Sequence, residues 1–286
     1  MSASAIRVLG RPGNAHRIGA LAIRSLHAEL VLYPKPGLVS PRDNGSHADM
    51  DATTFLRSMA SLRGYFVAIA SAGAHGAPFR ELRSLGVRAE QRMLEATGGV
   101  NTHRGAIFAL GLLAAAAASV LAEGSEATDA RLRDVLGRWR TDLLAFAVDP
   151  TARPSHGRSV AGRFGAKGAR GEAISAFPSV FDTGLPALRL ALSRTSDVAA
   201  AQAHALFTLL ALVEDTNVIY RGGPDALAFL QREAIAFLTA GSIFAADWRS
   251  RAEWLHRQCC IRRISPGGCA DLFSACWFVH QLQADA

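Results

Sequence analysis

Residues 105–122 read GAIFALGLLAAAAASVLA, eighteen consecutive positions without a charged side chain. A segment of this length nominally reaches across a bilayer. Most of its residues are Ala and Gly, and the small alanine side chain gains little free energy from transfer into lipid. We therefore predict a helix buried at the centre of the protein and no transmembrane span.

Helical periodicity dominates the rest of the chain. Phe55, Met59, Leu62, Phe66 and Ile69 recur at helical spacing after a polar loop, and a glycine ends that stretch. Further helices are predicted near residues 14–33, 79–97, 102–122, 127–147, 184–194, 197–219, 224–240, 243–261 and 268–283. Because alternating strand patterns are almost absent, the predicted fold is all-α: one multi-helix bundle over residues 1–286 with glycine-rich functional loops.

Composition narrows the class of protein. The chain is 50% hydrophobic and 19% charged, with a mean hydropathy of +0.16, which excludes intrinsic disorder. Residues 1–17 lack an apolar h-region, so we expect no signal peptide and a cytoplasmic protein. The net charge of +7 favours anionic ligands such as nucleic acid, acidic membrane surfaces or polyphosphate metabolites.

The types and positions of the basic residues help to choose among these anionic ligands. All but two of the 31 are arginine, and none lies in a long basic run. The exceptions, Lys35 and Lys167, both fall in Gly/Pro-rich loops, where a compact point charge is the feature that lysine adds.

The first candidate segment is residues 33–51, YPKPGLVSPRDNGSHADMD. Its prolines and glycines predict a rigid, turn-rich loop. We expect this loop to present Lys35, Arg42, Asp43 and Asn44.

A helix is predicted to begin near the end of this segment. Ser46 and Asp49 have the spacing of a capping box, and acidic residues suit the first turn of a helix. Capping explains Asp49 alone, but not the crowding of His47, Asp49 and Asp51 beside a basic loop. If helical, His47 and Asp51 share a face, which favours a Mg²⁺ site or a base–acid pair.

The second segment, residues 98–105 (GGVNTHRG), is a glycine turn before the apolar helix. Asn101 and Thr102 are candidate helix caps, and the free amides of such a helix start bind phosphate well. Capping explains Asn101 or Thr102 but leaves His103 and Arg104 without a structural role.

The third segment is a basic, glycine-rich loop at residues 149–171. Glycines recur every third residue toward its end, where Lys167 and Arg170 precede Glu172. Such a loop lets backbone amides approach a polyphosphate while the cations supply charge. The alternative is a solvated linker.

The fourth segment is Glu214-Asp215-Thr216-Asn217, with Arg221 following. We place it at the C-terminal end of an apolar helix, with Gly222–Gly223 as the stop. Two carboxylates there oppose the helix dipole, so a cation should offset them, either a metal ion or Arg221.

The fifth segment is residues 265–271, SPGGCAD. A Pro-Gly-Gly turn that leads into a helix is an anion-binding helix start at Gly267 and Gly268, with Asp271 in the first turn. The alternative is an ordinary interhelical turn capped by Ser265.

Taken in order, the five segments resemble the signatures of the triphosphoribosyl-dephospho-CoA synthase family. The matching motifs are PKPGLV with NGSH and DMD at 34–51, NTHRG at 101–105, GARGEA at 168–173, EDTN with RGG at 214–223, and SPGG with ADL at 265–272. The resemblance covers roughly residues 15–280. The chain length and residues 11–30 look more like the malonate decarboxylase branch than the citrate lyase branch. Arg104 stands where lysine is frequent, and Ser40 where many relatives have an acid.

The resemblance implies a transferase. It would move the 5-triphosphoribosyl group of ATP to the ribose 2′-hydroxyl of 3′-dephospho-CoA and release adenine. Such a displacement passes through an oxocarbenium-like centre, so the site needs a carboxylate, a base, an acid and cations for the triphosphate. We expect the catalytic residues to be Glu29, His47, Asp49, Asp51 and Asp215, with Glu29 or His47 as the base.

The resemblance also implies ligand and partner sets. Mg²⁺ is expected on Asp49, Asp51, Glu214 and Asp215. The expected substrate ligands are Lys35, Asn44, Ser46, Asn101, His103, Arg104, Lys167, Arg170, Glu172, Asn217, Arg221, Gly267 and Gly268. The product is expected to pass to a phosphoribosyl-dephospho-CoA transferase that acts on an acyl-carrier protein. No nucleic acid and no membrane is expected as a partner, and homo-oligomerisation stays open.

Two other functions are consistent with parts of the sequence. A Mg²⁺-dependent all-α hydrolase of ADP-ribose or nucleotides would use the same acids with water as the acceptor. A basic nucleic-acid-binding protein would account for the isoelectric point, but the chain has no aromatic interleaving and no recognisable nucleic-acid module.

Overall fold

The computed structural model describes residues 12–148 and 168–284, and within these ranges the regular structure is helical, without strands. The α-helices are α1 (Pro12–Val31), α2 (Ala52–Ala74), α3 (Phe79–Ala96), α4 (Arg104–Ala122), α5 (Asp129–Arg138), α6 (Arg140–Val148), α7 (Gly168–Ile174), α8 (Leu185–Leu192), α9 (Val198–Leu212), α10 (Thr216–Thr239), α11 (Trp248–Ile261) and α12 (Gly267–Ala284). A π-helix (Ser179–Gly184) leads into α8, and a 3₁₀ turn (Ser242–Phe244) precedes α11. The predicted all-α class is confirmed.

Helix α4 is the centre of the first half of the bundle. It packs against α1, α2, α3, α5 and α12, and its residues from Ala106 to Val120 are almost all buried. Helix α4 is long and apolar enough to cross a membrane, but 78% of its apolar window is buried inside the protein. Its hydropathy therefore reflects a central position in the core, as predicted.

Helix α9 has the same role in the second half. It is apolar on nearly all sides and packs against α8, α10, α12 and the π-helix. Helix α12 contacts α1 and α4 as well as α9, so it joins the two halves. The N-terminal end of α12 consequently lies between helices from both halves.

Small residues let α2 and α4 approach closely. A Cβ atom added to Gly73 would lie 2.2 Å from the carbonyl oxygen of Ala115, which is backbone and cannot move aside. On the same helix, Gly64 has open space around its Cα. The polyalanine part of α4 is therefore a close-packing surface.

Most predicted helices are confirmed, with two exceptions. The predicted helix 127–147 is two helices, because the chain turns at Trp139. The predicted helix 197–219 is wrong at its end: α9 stops at Leu212, and α10 begins at Thr216. Gly223, with φ +74°, interrupts α10 with a kink before Pro224, which agrees with the predicted break at Gly222–Gly223.

The α2–α4 contact generates a stability prediction. Gly73→Ala should lower the free energy of unfolding by about 1–3 kcal/mol, because the new methyl group overlaps fixed backbone. The matched variant Gly64→Ala should raise it by about 0.5–1 kcal/mol through helix propensity. Urea unfolding followed by circular dichroism measures both. Equal effects of the two substitutions would contradict the close approach.

Candidate active site

A single carboxylate, Asp215, caps two helices. Its Oδ1 accepts hydrogen bonds from the amides of Asn217 (2.9 Å) and Val218 (3.4 Å) at the start of α10. Its Oδ2 accepts one from the amide of Cys269 (2.8 Å) in the first turn of α12. Asp215 is 1% exposed. The N-termini of α10 and α12 are thereby held against each other.

The position of Asp215 contradicts the prediction made for the fourth segment. Asp215 does not lie at the C-terminal end of an apolar helix but is the N-cap of the next helix. At a helix N-terminus the negative charge of Asp215 interacts favourably with the positive end of the helix dipole. No additional cation is therefore needed to offset that charge. Burial raises the pKa of the Asp215 carboxyl, while the backbone amides lower it. Glu214 is exposed.

The two glycines at the start of α12 pack against the side chains of Asp215 and Asn217. A Cβ on Gly268 would lie 3.1 Å from Asp215 Oδ2, and a Cβ on Gly267 would lie 3.1 Å from Asn217 Nδ2. A side chain at either position would be in tight contact with Asp215 or Asn217, which would have to shift by a few tenths of an ångström. The glycines therefore suit the close meeting of the two helices.

The loop of the first segment packs on the same turn. Ser46 Oγ donates to the carbonyl oxygens of Ile264 (2.6 Å) and Cys259 (3.2 Å). Gly37 adopts φ +67°, and a Cβ there would lie 2.0 Å from the Ile264 carbonyl oxygen. Ser46 therefore joins the loop to the turn before α12; the predicted capping box of Ser46 and Asp49 does not form.

His47 lies at the junction of this loop and the turn before α12. Its Nε2 is 2.7 Å from Ser265 Oγ. Its Nδ1 is 3.5 Å from Asp49 Oδ1 and 3.5 Å from Arg221 Nη2. Burial, and then the Arg221 charge, lower the pKa of the imidazole, so His47 is neutral near pH 7.

The prediction that His47 and Asp51 share a helix face is wrong. Helix α2 begins at Ala52, so residues 47–51 are not helical. Asp51 is the N-cap: its Oδ1 accepts from the Thr54 amide at 2.8 Å, and Thr54 returns the bond to complete a capping box. Asp51 is exposed, so capping is its structural role.

Lys35 is the largest departure from the sequence prediction. The loop does not present it to solvent: its side chain is fully buried, and Nζ donates to Glu29 Oε1 and to the Glu29 carbonyl oxygen, both at 2.6 Å. Burial lowers the pKa of Lys35, and Glu29 opposes that shift. Glu29 is itself 5% exposed, so the two charges form a buried ion pair inside the bundle.

A histidine that the sequence did not single out as part of the site anchors this loop. His256, on α11, is buried; its Nδ1 lies 2.8 Å from the Lys35 carbonyl oxygen, and its Nε2 lies 3.0 Å from Asp43 Oδ1. The contacts join residues more than 200 positions apart, so no local pattern indicates them.

The second segment forms the start of α4. The N-cap position of α4 is His103 and not Asn101 or Thr102 as predicted, although Asn101 Oδ1 accepts from the Arg104 amide at 3.2 Å. Thr102 Oγ1 donates to Ser58 Oγ (2.8 Å), which lies 2.6 Å from His103 Nδ1. Burial lowers the pKa of His103 to about 3, so its ring is neutral. Its Nε2 is buried without a hydrogen-bond partner in the described part of the chain.

Asp271 is the acidic group that the sequence undervalued. Its carboxyl accepts a hydrogen bond from the Ala106 amide at the start of α4. A Cβ on Gly105 would lie 2.0 Å from Asp271 Oδ2. Burial first, then the charges of Glu29 and Asp215, raise the pKa of Asp271 well above its ordinary value. The position of Asp271 just after the SPGG turn was the feature of the sequence that could have identified it as a site residue.

The other predicted ligands have diverse surroundings. Arg104 Nε lies 3.2 Å from Glu90 Oε2, and Arg170 stacks over the Phe146 ring at 4.3 Å. Glu172 accepts from the amide (3.1 Å) and the hydroxyl (2.7 Å) of Ser179. Asn44 is exposed. Lys167 lies outside the described residues.

The four carboxylates expected to bind Mg²⁺ do not form a ligand group. Over residues 12–148 and 168–284, no set of three or more His, Cys, Asp or Glu side chains is arranged to hold a metal ion. Asp51 and Asp215 accept backbone hydrogen bonds as helix caps, whereas Asp49 and Glu214 are exposed. The predicted four-residue metal site is therefore wrong in its geometry.

The first, second and fourth segments nevertheless meet the fifth at the start of α12, and the described end of the third segment lies at the neighbouring start of α10. The first reaches α12 through His47 and Ser265, the second through the Ala106 amide and Asp271, and the fourth through Asp215. The third reaches the start of α10, where a Cβ on Gly168 would lie 3.2 Å from Thr216 Cγ2. The N-termini of α4, α10 and α12 converge on this cluster, which makes it suited to anions.

Comparison with known proteins gives a consistent match. The profile of the family described as ATP:dephospho-CoA triphosphoribosyl transferase matches residues 15–286. The chain is 37% identical to the 2-(5″-triphosphoribosyl)-3′-dephosphocoenzyme-A synthase of Klebsiella pneumoniae, over 96% of this chain and 94% of that protein. Proteins named as probable synthases of the same kind are similar: Pseudomonas fluorescens, 40% identical (96% and 94% covered), and Azotobacter vinelandii, 39% (97% and 95%). No solved structure matches the chain.

The shared cap generates a second stability prediction. Asp215→Ala leaves three buried amides at two helix starts without their acceptor, so it should cost about 2–4 kcal/mol, roughly two caps. Thr128→Ala, which removes the side-chain cap of α5 alone, should cost about 1 kcal/mol. Thermal and urea unfolding of both variants gives the comparison. A cost for Asp215→Ala no larger than that for Thr128→Ala would contradict the double cap.

Proposed function

Because the chain belongs to the ATP:dephospho-CoA triphosphoribosyl transferase family, we propose that the cluster at the start of α12 is the site of that reaction. The protein transfers the 5-triphosphoribosyl group of ATP to the 2′-hydroxyl of 3′-dephospho-CoA and releases adenine. The observation that supports the location is the convergence of four of the five segments on the start of α12. A base, several acids and helix N-termini lie together there.

The triphosphate is bound by positive helix ends and by arginine. The N-termini of α4, α10 and α12 turn their partial positive charge toward the same region, where Asp215, Asp271 and Asn101 already accept several of the first amides. Arg221, on the first turns of α10, adds a full charge beside His47. Lys35 contributes indirectly, because its ammonium is bound to Glu29.

His47 is the base that takes the proton of the attacking hydroxyl. When Nε2 donates to Ser265 Oγ, Nδ1 carries the lone pair and faces Asp49 at 3.5 Å. A proton taken up at Nδ1 is stabilised by that carboxylate and opposed by the Arg221 guanidinium, whose Nη2 is also 3.5 Å from Nδ1. Glu29, the other candidate, is less suited because its Oε1 accepts the Lys35 ammonium.

The buried acids offset the charge that develops on the ribose. As the bond from C1′ to adenine breaks, positive charge builds on C1′ and the ring oxygen. Glu29 and Asp215 place two buried carboxyl groups in this interior region, beside the cation Lys35. A fixed acidic environment of this kind favours the transition state over the neutral ground state.

Mg²⁺ enters this scheme as part of the substrate, bound to the phosphates of ATP. The described residues contain no cage of three ligands, but Mg²⁺ in nucleotide sites usually takes only one or two protein carboxylates and keeps several waters. Asp49 and Glu214 are exposed and therefore suited to that contact. No step of the proposed chemistry depends on them.

Further parts of the proposal concern the biological setting. The product is handed to a phosphoribosyl-dephospho-CoA transferase that modifies an acyl-carrier protein, and malonate decarboxylase is favoured over citrate lyase by residues 11–30. We place the protein in the cytoplasm, where ATP and dephospho-CoA are available. No observation favours the hydrolase or the nucleic-acid-binding alternative over transfer.

The activity is tested by product analysis. Incubation with ATP, dephospho-CoA and Mg²⁺ should release adenine and yield triphosphoribosyl-dephospho-CoA, both identified by mass spectrometry. Omitting dephospho-CoA should abolish adenine release, because the acceptor hydroxyl is the nucleophile. Equal activity with CoA that bears a 3′-phosphate, or the appearance of ADP and phosphate, would refute the assignment. Adenine release with water as the acceptor would favour the hydrolase.

The role of His47 is tested by substitution and pH. His47→Gln should lower kcat at least about 100-fold, the scale of a lost general base. His75→Gln, at an exposed histidine at the end of α2, should leave kcat unchanged. Because the pKa of His47 is lowered, wild-type activity should persist below pH 6.5 and fall only as the imidazole becomes protonated. A profile without this acidic limb would exclude His47 as the base.

A further inference from the structure

The departing adenine needs a proton, and the site contains one acid whose surroundings suit that task. The bond between C1′ and the purine breaks with its electron pair moving to adenine, which leaves poorly as an anion. A general acid that protonates the ring typically supplies 10²–10⁴-fold. His47 is neutral and takes a proton in the forward step, so another group must deliver one.

The position of Asp271 is held by backbone. Its carboxyl accepts the Ala106 amide and lies against Gly105 so closely that no larger residue fits there. Its side chain is partly exposed, in contrast to the neighbouring Asp215, so a ligand can reach it. A carboxyl fixed at the start of α4 and open on one side is oriented for transfer to a bound group.

Asp271 is faced by acids from two other elements. Glu29 approaches from α1, paired with Lys35, and Asp215 approaches from the start of α10. The nearby thiol of Cys269 has a pKa well above its ordinary value and is uncharged. Burial, together with this crowding, raises the pKa of Asp271 well above its ordinary value, which favours the protonated form.

A second, independent feature points to a ligand at the same helix start. His103, three residues before Ala106, is 3% exposed, and its Nε2 has no partner in the described ranges. Ser58 Oγ accepts from Thr102 and lies 2.6 Å from His103 Nδ1; in the tautomer in which Ser58 donates to Nδ1, the ring proton is on Nε2. A buried N–H without an acceptor is costly unless a ligand supplies one.

We propose that Asp271 is the general acid that protonates adenine as it leaves, with His103 Nε2–H as a second donor to the purine ring. The inference rests on the proposed function. The C1′–N9 bond breaks, its electron pair passes to adenine, and the Asp271 proton passes to a purine nitrogen. A bond forms from C1′ to the acceptor oxygen, whose proton passes to His47. Exchange with solvent then restores the proton of Asp271 and removes that of His47.

The test compares two substrates that differ in their need for a proton. The purine of 7-methyl-ATP is already cationic and leaves as a neutral base without protonation. Asp271→Asn should lower kcat with ATP at least about 100-fold, yet with 7-methyl-ATP it should stay within about threefold of wild type. Asn keeps an acceptor for the Ala106 amide, and circular dichroism checks folding. Asp182→Asn, at an exposed acid on the π-helix, should match wild type with both substrates.

The pH profile of the wild-type enzyme tests the same point without a variant. With ATP, kcat should fall as pH rises through the raised pKa of Asp271, because the acid form is required. With 7-methyl-ATP this alkaline limb should be absent. Equal losses with both substrates in Asp271→Asn, or an unchanged alkaline limb, would assign Asp271 a structural role only. If wild type itself releases no adenine from ATP and dephospho-CoA, the proposed function fails instead.

Discussion

The candidate site depends on one interaction, the carboxylate of Asp215 shared between the N-termini of α10 and α12. Two helix starts next to each other would normally repel through their positive dipole ends and would leave buried amides unsatisfied. The single buried carboxylate of Asp215 offsets the positive dipole ends and also accepts hydrogen bonds from the buried amides. Gly267 and Gly268 suit the same constraint, because a Cβ at either position would lie only 3.1 Å from the side chain of Asn217 or Asp215.

This junction also gathers groups from distant parts of the chain. The turn before α12 binds His47 through Ser265, and the first turns of α12 carry Asp271 to the start of α4. The buried ion pair of Lys35 and Glu29 adds no net charge, and the Glu29 carboxylate contributes to the raised pKa of Asp271. Acid–base chemistry needs such an environment, since it separates a neutral imidazole from a protonated carboxyl at the same pH.

Local pattern was a good guide to the helices and a poor guide to their ends. The Ala-rich run of α4 predicted a buried central helix, and the structure agrees. Asp215 was assigned to the end of α9 because apolar residues precede it, but its side chain caps α10. Lys35 was expected at the surface because loops are usually exposed; His256 and Glu29, which bury it, come from α11 and α1.

The sequence by itself determined the all-α class, most helices and the family, because helical periodicity and motif order are properties of neighbouring residues. It also identified the segments that meet in the candidate site. Only the tertiary structure decided which side chains within them touch. Asp51 is an exposed cap, Lys35 a buried counter-ion, and Asp271 a partly buried acid, although all three are polar residues in matching motifs. Burial and charge pairing set those differences, and both arise from contacts between residues far apart in the chain.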